Sequence, residues 1–145
     1  MQFPDKDPVI EFEYTLRSRY GETDKMGHVY HGRFLEYFEV ARVEMIRSYG
    51  LSYKKMEDEG IMLPVIQAEL EYKSPVYYDE EILIKILVFD TPSVRLQTFY
   101  QVFAKERNQL CVLGAVSLCF MSEETRRPCR APQYFLESLN KLNLK

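Results

Sequence analysis

At 145 residues, 46% hydrophobic and 28% charged, the chain has the size and composition of one globular domain over 1–145, neither disordered nor fibrous. Its 19 Lys+Arg against 22 Asp+Glu give a net charge of -3, so no global basic field argues for nucleic acid as a partner. The most apolar run, 110–121, is shorter than the ~18 residues a membrane-crossing helix needs, and no span is expected. Asp5, Asp7, Glu11 and Glu13 stand at the amino end, where a secretory leader would be basic and then apolar, so a cytoplasmic location is expected. Cys111, Cys119 and Cys129 form no Cys-x-x-Cys pair, which suits reduced thiols better than a disulfide framework or a zinc knuckle.

In chain order, Ile10, Phe12, Tyr14 and Leu16 alternate with polar residues and predict a first strand near 9–20. A Gly- and polar-rich loop, 21–32, leads into a helix from Phe34, on which Phe34, Phe38, Ala41 and Met45 share one stripe. Leu35, Tyr37, Val40 and Val43 widen that stripe until the helix should be largely enclosed, with Gly50 as its stop. A short, polar, exposed helical turn is expected over 53–59, ended by Gly60. Period-two alternation then predicts strands over 68–73, 82–88 and 94–102, followed by the apolar run 110–121. Turn-like gaps at 90–93 and 106–109 join the last three strands into an antiparallel meander, and 134–142 predicts a closing helix. The whole reads as an α+β domain whose antiparallel sheet wraps one long central helix.

The chemistry-bearing residues gather in the loop before that helix. Asp24, His28 and His31 lie within eight positions, beside a helix start whose unpaired N–H groups and positive dipole end can hold a developing oxyanion. Carboxylate, imidazole and amide donors are the parts of an acyl-transfer or hydrolysis site, although the same residues also suit plain turn chemistry. A thioester oxygen would sit on backbone N–H groups around Tyr30 to Gly32. Asp24 would serve as general base or as nucleophile, two roles the residues leave open, and His31 would orient water or assist the leaving thiolate. Asp24, His28 and His31 are also a conceivable zinc ligand set, the weaker reading.

The stretch from Tyr20 through Asp24, Gly27, Tyr30, His31, Gly32 and Phe34, with Glu36, Glu39, Arg42 and Glu44 behind it, closely resembles the signature of hotdog-fold acyl-CoA thioesterases of the 4-hydroxybenzoyl-CoA thioesterase family. The likeness extends over most of the chain, through Tyr72, Pro75 and Asp79. It implies a hotdog fold, an acyl-CoA substrate, no metal or organic cofactor, and a homodimer or homotetramer with the site at a subunit interface. It also implies that Asp24 is the catalytic carboxylate and that His31 matches the histidine of the short acyl-CoA branch. Three positions depart from the common pattern: Glu22 replaces an Asp, His28 a Val or Ile, and Arg33 a frequent Asn.

Tyr30, Phe34, Tyr37 and Tyr72 are candidates for an acyl pocket, and Arg33 and Lys73 for further substrate contacts, each with ordinary packing or solvation as the alternative. Arg126, Arg127 and Arg130 form a basic cluster suited to phosphate or simply to solvent. Glu39, on an otherwise apolar helix, is expected to pair with Arg42 or a backbone group. The expected reaction is hydrolysis of a short- or medium-chain or aromatic acyl-CoA, the alternatives being a carrier-protein thioesterase and a non-catalytic acyl-CoA-binding protein.

Overall fold

The computed structural model describes residues 1–143. Its elements run β1 (Ile10–Arg17), α1 (Arg33–Ser48), α2 (Tyr53–Asp58), β2 (Ile61–Met62), β3 (Val65–Tyr72), β4 (Glu81–Val88), β5 (Arg95–Ala104), β6 (Gln109–Cys119), β7 (Met121–Ser122) and α3 (Gln133–Asn143). β1, β4, β5, β6 and β3 form one sheet in that order, with every neighbouring pair antiparallel, while β2 pairs with β7 apart from it. The meander expected from the two four-residue gaps is β4–β5–β6, and the class is α+β.

Alternation along the strands decides which side carries the core. In β5 every second residue is buried, from Leu96 through Thr98, Tyr100 and Val102 to Ala104, the pattern of a strand with one face against a core. In β4, Ile82, Ile84 and Ile86 do the same. Against that face lies α1, a helix of 16 residues. Its Phe38 ring stacks on Tyr100 with centroids 4.2 Å apart and planes 15° from parallel, directly over Gly114, where a Cβ would come within 2.4 Å of the ring. Full burial of a side chain such as Phe38 or Met45 contributes about 1.5–3 kcal/mol.

The sequence places this helix largely inside the sheet; the structure covers one face of it. Phe34, Tyr37, Phe38, Ala41, Met45 and Ile46 are buried, while Leu35 and Val40 are 43% and 44% exposed. Of the four residues that widened the stripe, Leu35 and Val40 therefore face outward, while Tyr37 is buried and Val43 half-buried, because a single curved sheet shields only one side of the cylinder. α2 is exposed as expected apart from Met56, which anchors it in the core, and Tyr53, which is half-buried against it. Ser52 caps α2 by accepting from the Lys55 N–H at 3.0 Å.

Candidate active site

The loop between β1 and α1 is folded by its own backbone and by Asp24. The Asp24 N–H donates to the His28 carbonyl at 2.7 Å, and the Gly27 N–H to the Asp24 carbonyl at 3.1 Å. Gly27 has a φ of 78°, which a residue with a Cβ adopts only with strain. Asp24 Oδ1 accepts from the N–H groups of Met26 and His28 at 2.8 and 3.1 Å. Oδ2 has no donor among the described residues, so the carboxylate is held in one orientation with one oxygen left for chemistry.

A second segment, between β3 and β4, closes over this loop. Val29 donates to the Val76 carbonyl at 2.7 Å, Tyr78 to the Gly27 carbonyl at 3.3 Å, and His28 and Tyr77 form an isolated antiparallel bridge. Glu80 braces the segment: its carboxylate accepts from the Tyr77 N–H at 2.9 Å and from the Arg107 guanidinium at 2.9 and 2.7 Å, while Arg107 also donates to the Pro75 carbonyl at 3.0 Å. The Arg107 fork, aided by the Tyr77 amide, holds the Glu80 carboxyl below the usual range despite partial burial.

Between the two segments and the start of α1 opens a cleft of about 330 Å³, lined by Asp24, His28, Val29, His31, Phe34, Tyr72, Lys73, Ser74, Pro75 and Val76. Asp24, His31, Phe34 and Lys73 thus come together as site candidates. Tyr72 Oη donates to the His31 carbonyl at 2.9 Å, and the Tyr30 and His31 rings lie 4.2 Å apart. Ser74, Pro75 and Val76 join the wall without having been singled out by sequence, since their place depends on the long-range bridge between Tyr77 and His28.

Other candidates fall elsewhere. The Tyr30 N–H, expected as an oxyanion donor, donates instead to the Glu22 carbonyl at 2.8 Å. The N–H groups of His31 and Gly32 find no acceptor among the described residues, which leaves these two as donors at the helix start. Gly32 precedes α1 without a side-chain cap, and the Tyr30 ring lies where a Cβ on Gly32 would sit, 3.0 Å away. Tyr37 is buried and donates to Glu22 Oε1 at 2.8 Å, outside the cleft lining. Burial and the Glu22 carboxylate push its phenol well up, so it stays neutral. Arg33 is tied to Glu36 at 2.9 Å and is not part of the cleft lining. Glu39 does not pair with Arg42, whose guanidinium is taken by the Tyr100 and Tyr53 hydroxyls at 2.9 and 3.1 Å. Lys73 pairs with Glu71, whose carboxyl is held down at about 2 by Lys73 and the terminal ammonium. Among the described residues no group of three His, Cys, Asp or Glu side chains stands close enough to share a metal ion, so the zinc reading has no ligand set. No described helix is long and apolar enough to cross a membrane.

An antiparallel sheet packed on one helix, with an acid and an imidazole at the helix start, is the frame of the hotdog thioesterases, and residues 18–139 match the Thioesterase-like superfamily. The chain belongs to that superfamily. It is 29% identical over 120 residues to YneP of Bacillus subtilis, provisionally named an acyl-CoA thioesterase, covering 83% of this chain and 86% of that one. It is 31% identical over 74 residues to the acyl-CoA thioester hydrolase YbgC of Escherichia coli, covering 51% and 55% of the two chains. A solved DHNA-CoA thioesterase from Staphylococcus aureus superimposes with a TM-score of 0.83 and 34% identity over 92% of this chain and 91% of that one.

Proposed function

We propose that this chain is an acyl-CoA thioesterase of the 4-hydroxybenzoyl-CoA thioesterase type, hydrolysing acyl-CoA to free acid and CoA with Asp24 as the catalytic carboxylate. The observation that carries the reading is Asp24 itself: one oxygen fixed by two backbone N–H groups, the other free, in a cleft shared with His31 and the start of α1. A thioester carbonyl seated there puts its oxygen toward the free N–H groups of His31 and Gly32, which stabilise charge as the tetrahedral state forms. One such donor contributes on the order of 3 kcal/mol in other enzymes.

Asp24 acts on the carbonyl carbon through a water whose proton it takes, or by direct attack to a mixed anhydride that water then opens. Either way the C–S bond breaks and the thiolate leaves with a proton from solvent or His31. An ordinary Asp is a weak base near neutrality, with a pKa of about 3.9, so positioning supplies much of the rate. Phe34, Val29 and Val76 give the acyl group an apolar wall. We further propose a homodimer or homotetramer of one-domain subunits in the cytoplasm. In support, β3 is a sheet edge with Val65 and Ile66 50% and 47% exposed, a row of unpaired backbone groups suited to a second copy.

The test is thiol release from short-, medium-chain and aromatic acyl-CoAs by the wild type and Asp24→Asn. Cleavage that Asp24→Asn abolishes supports the reading, and cleavage that survives unchanged overturns the assignment of Asp24. Failure to cleave any acyl-CoA that still binds leaves a binding protein, and cleavage of carrier-protein thioesters alone changes the substrate. Single turnover in H₂¹⁸O that leaves label in Asp24 identifies direct attack with water opening the anhydride at the Asp24 carboxyl carbon, since the general-base route puts the label only in the free acid.

A further inference from the structure

Glu22 lies outside the lining of the Asp24 cleft, yet it bonds to three of the segments that build it. It ends the tight turn Tyr20–Glu22 that follows β1, and its side chain is only 11% exposed. Its Oε1 accepts from the Arg19 N–H at 2.7 Å and from the hydroxyl of Tyr37, on the second turn of α1, at 2.8 Å. The backbone carbonyl of the same residue accepts from the Tyr30 N–H at 2.8 Å. One residue thus holds the incoming chain at Arg19, the outgoing arm of the loop at Tyr30 and the helix at Tyr37.

The positions of these bonds along the chain give them their consequence. Asp24 stands two residues beyond Glu22, and its N–H donates to the His28 carbonyl inside the small hairpin that the Thr23–Val29 bridge closes. The free N–H groups of His31 and Gly32 come directly after Tyr30, in a turn that the Arg33 N–H closes on the Tyr30 carbonyl at 2.9 Å. Carboxylate and donors are therefore both measured from Glu22, one along the chain and the other through Tyr30. Tyr37 fixes the tilt of α1: it is buried, and its ring stands edge-on to Phe34 of the cleft wall, with centroids 5.6 Å apart. Any slide or tilt of α1 that carries the His31 and Gly32 donors away from Asp24 has to break a bond to Glu22, and the Tyr37 bond, made to a carboxylate, is of the stronger kind.

We propose that Glu22 and Tyr37 are positioning residues, a hydrogen-bonded strut between loop and helix that sets the distance from Asp24 to the His31 and Gly32 N–H groups. The inference rests on the thioesterase reading of that cleft. Neither residue touches the reacting atoms; both act through the backbone they hold, and a displacement of about 1 Å at a reacting pair costs on the order of 100-fold in rate. Such a loss falls on kcat and spares KM, because the misplaced donors act on the transition state while the apolar wall still receives the acyl group.

Thiol-release kinetics and calorimetric Tm of the full chain with Tyr37→Phe, Glu22→Ala, the two combined, and Glu22→Gln test the proposal. Tyr37→Phe keeps the ring and its packing, so kcat should fall about tenfold or more with KM within about twofold of wild type. Glu22→Gln keeps an oxygen for both donors and should regain most of the kcat that Glu22→Ala loses. The combined variant should fall no further than Glu22→Ala alone, as expected of two residues sharing one contact. Full kcat in Tyr37→Phe, a raised KM at unchanged kcat, losses that multiply in the combined variant, or Glu22→Gln as slow as Glu22→Ala would each overturn the strut, and Tyr37→Phe decides the matter alone if Glu22→Ala does not fold. A wild type that releases no thiol, or Asp24→Asn at the wild-type rate, overturns the reading of the cleft and the strut with it, whereas an active, Asp24-dependent wild type whose Tyr37→Phe form keeps full kcat overturns the strut alone.

Discussion

Gly114 offers the sharpest test of how α1 is seated. A methyl group there would lie 2.4 Å from Cε2 and 2.6 Å from Cζ of Phe38, where ordinary contacts begin near 3.4 Å, so the ring must retreat by about 1 Å. It has nowhere free to go: Phe38 and Tyr100 are both fully buried and stacked on each other. Overpacking of this kind costs about 1–3 kcal/mol, from which the better strand propensity of alanine recovers about 0.5–1 kcal/mol. The net is about 0–2.5 kcal/mol, and contacts as close as 2.4 Å to a fully buried ring put Gly114→Ala in its upper part, about 1–2.5 kcal/mol, which for a chain of this size lowers Tm by roughly 3–8 °C. Differential scanning calorimetry reads this directly. In the Phe38→Leu background the penalty should shrink, with a coupling of about 1 kcal/mol in a double-mutant cycle. A Gly114→Ala protein with unchanged or raised Tm would refute the account of the α1–sheet contact.

Asp24→Asn keeps an Oδ1 acceptor for the Met26 and His28 amides, so kcat should fall about 100-fold or more while Tm barely moves; equal loss of both would make Asp24 structural. Tyr72→Phe removes the bond to the His31 carbonyl, and kcat/KM in steady-state assays should drop about two- to tenfold. Glu80→Gln should lower stability at neutral pH. Because the folded Glu80 pKa is depressed by Arg107, its contribution is present above the unfolded value of about 4.3 and fades as pH falls through the folded one. The Tm gap between wild type and Glu80→Gln should therefore be full at pH 7 and close in acid.

Periodicity carried most of the fold into view. Alternation of Ile82, Ile84 and Ile86, and of Leu96, Tyr100 and Val102, marks β4 and β5 because burial on one face imposes a period of two. The extent of α1's cover was not legible, since Leu35 and Val40 are apolar whether they face the core or the outside. At the site, Asp24 and His31 stood out because their chemistry is local to one loop. Tyr30 and Tyr37 misled for one shared reason: both are satisfied by Glu22, through its carbonyl and its carboxylate, and a contact with the turn after β1 leaves no trace in spacing. The far wall at Ser74, Pro75 and Val76 was hidden likewise, being set by pairing across the fold. Arg42 stood only as an expected partner for Glu39, and tertiary packing turned it instead toward Tyr53 and Tyr100.

The Arg107–Glu80 brace ties the tip of the β5–β6 hairpin to the wall of the Asp24 cleft. Its side chains are 38% and 16% exposed, so dissolved ions reach it, and at 1 M salt the Debye length shrinks to about 3 Å. Pro75 and Tyr77 then lose part of what holds them over His28, and the cleft wall loosens without any change in the carboxylate or the helix. Ionic strength thus reaches the width of the entrance through a pair that stands outside the reacting groups, so salt sensitivity of substrate entry should fall when Arg107 or Glu80 is neutralised.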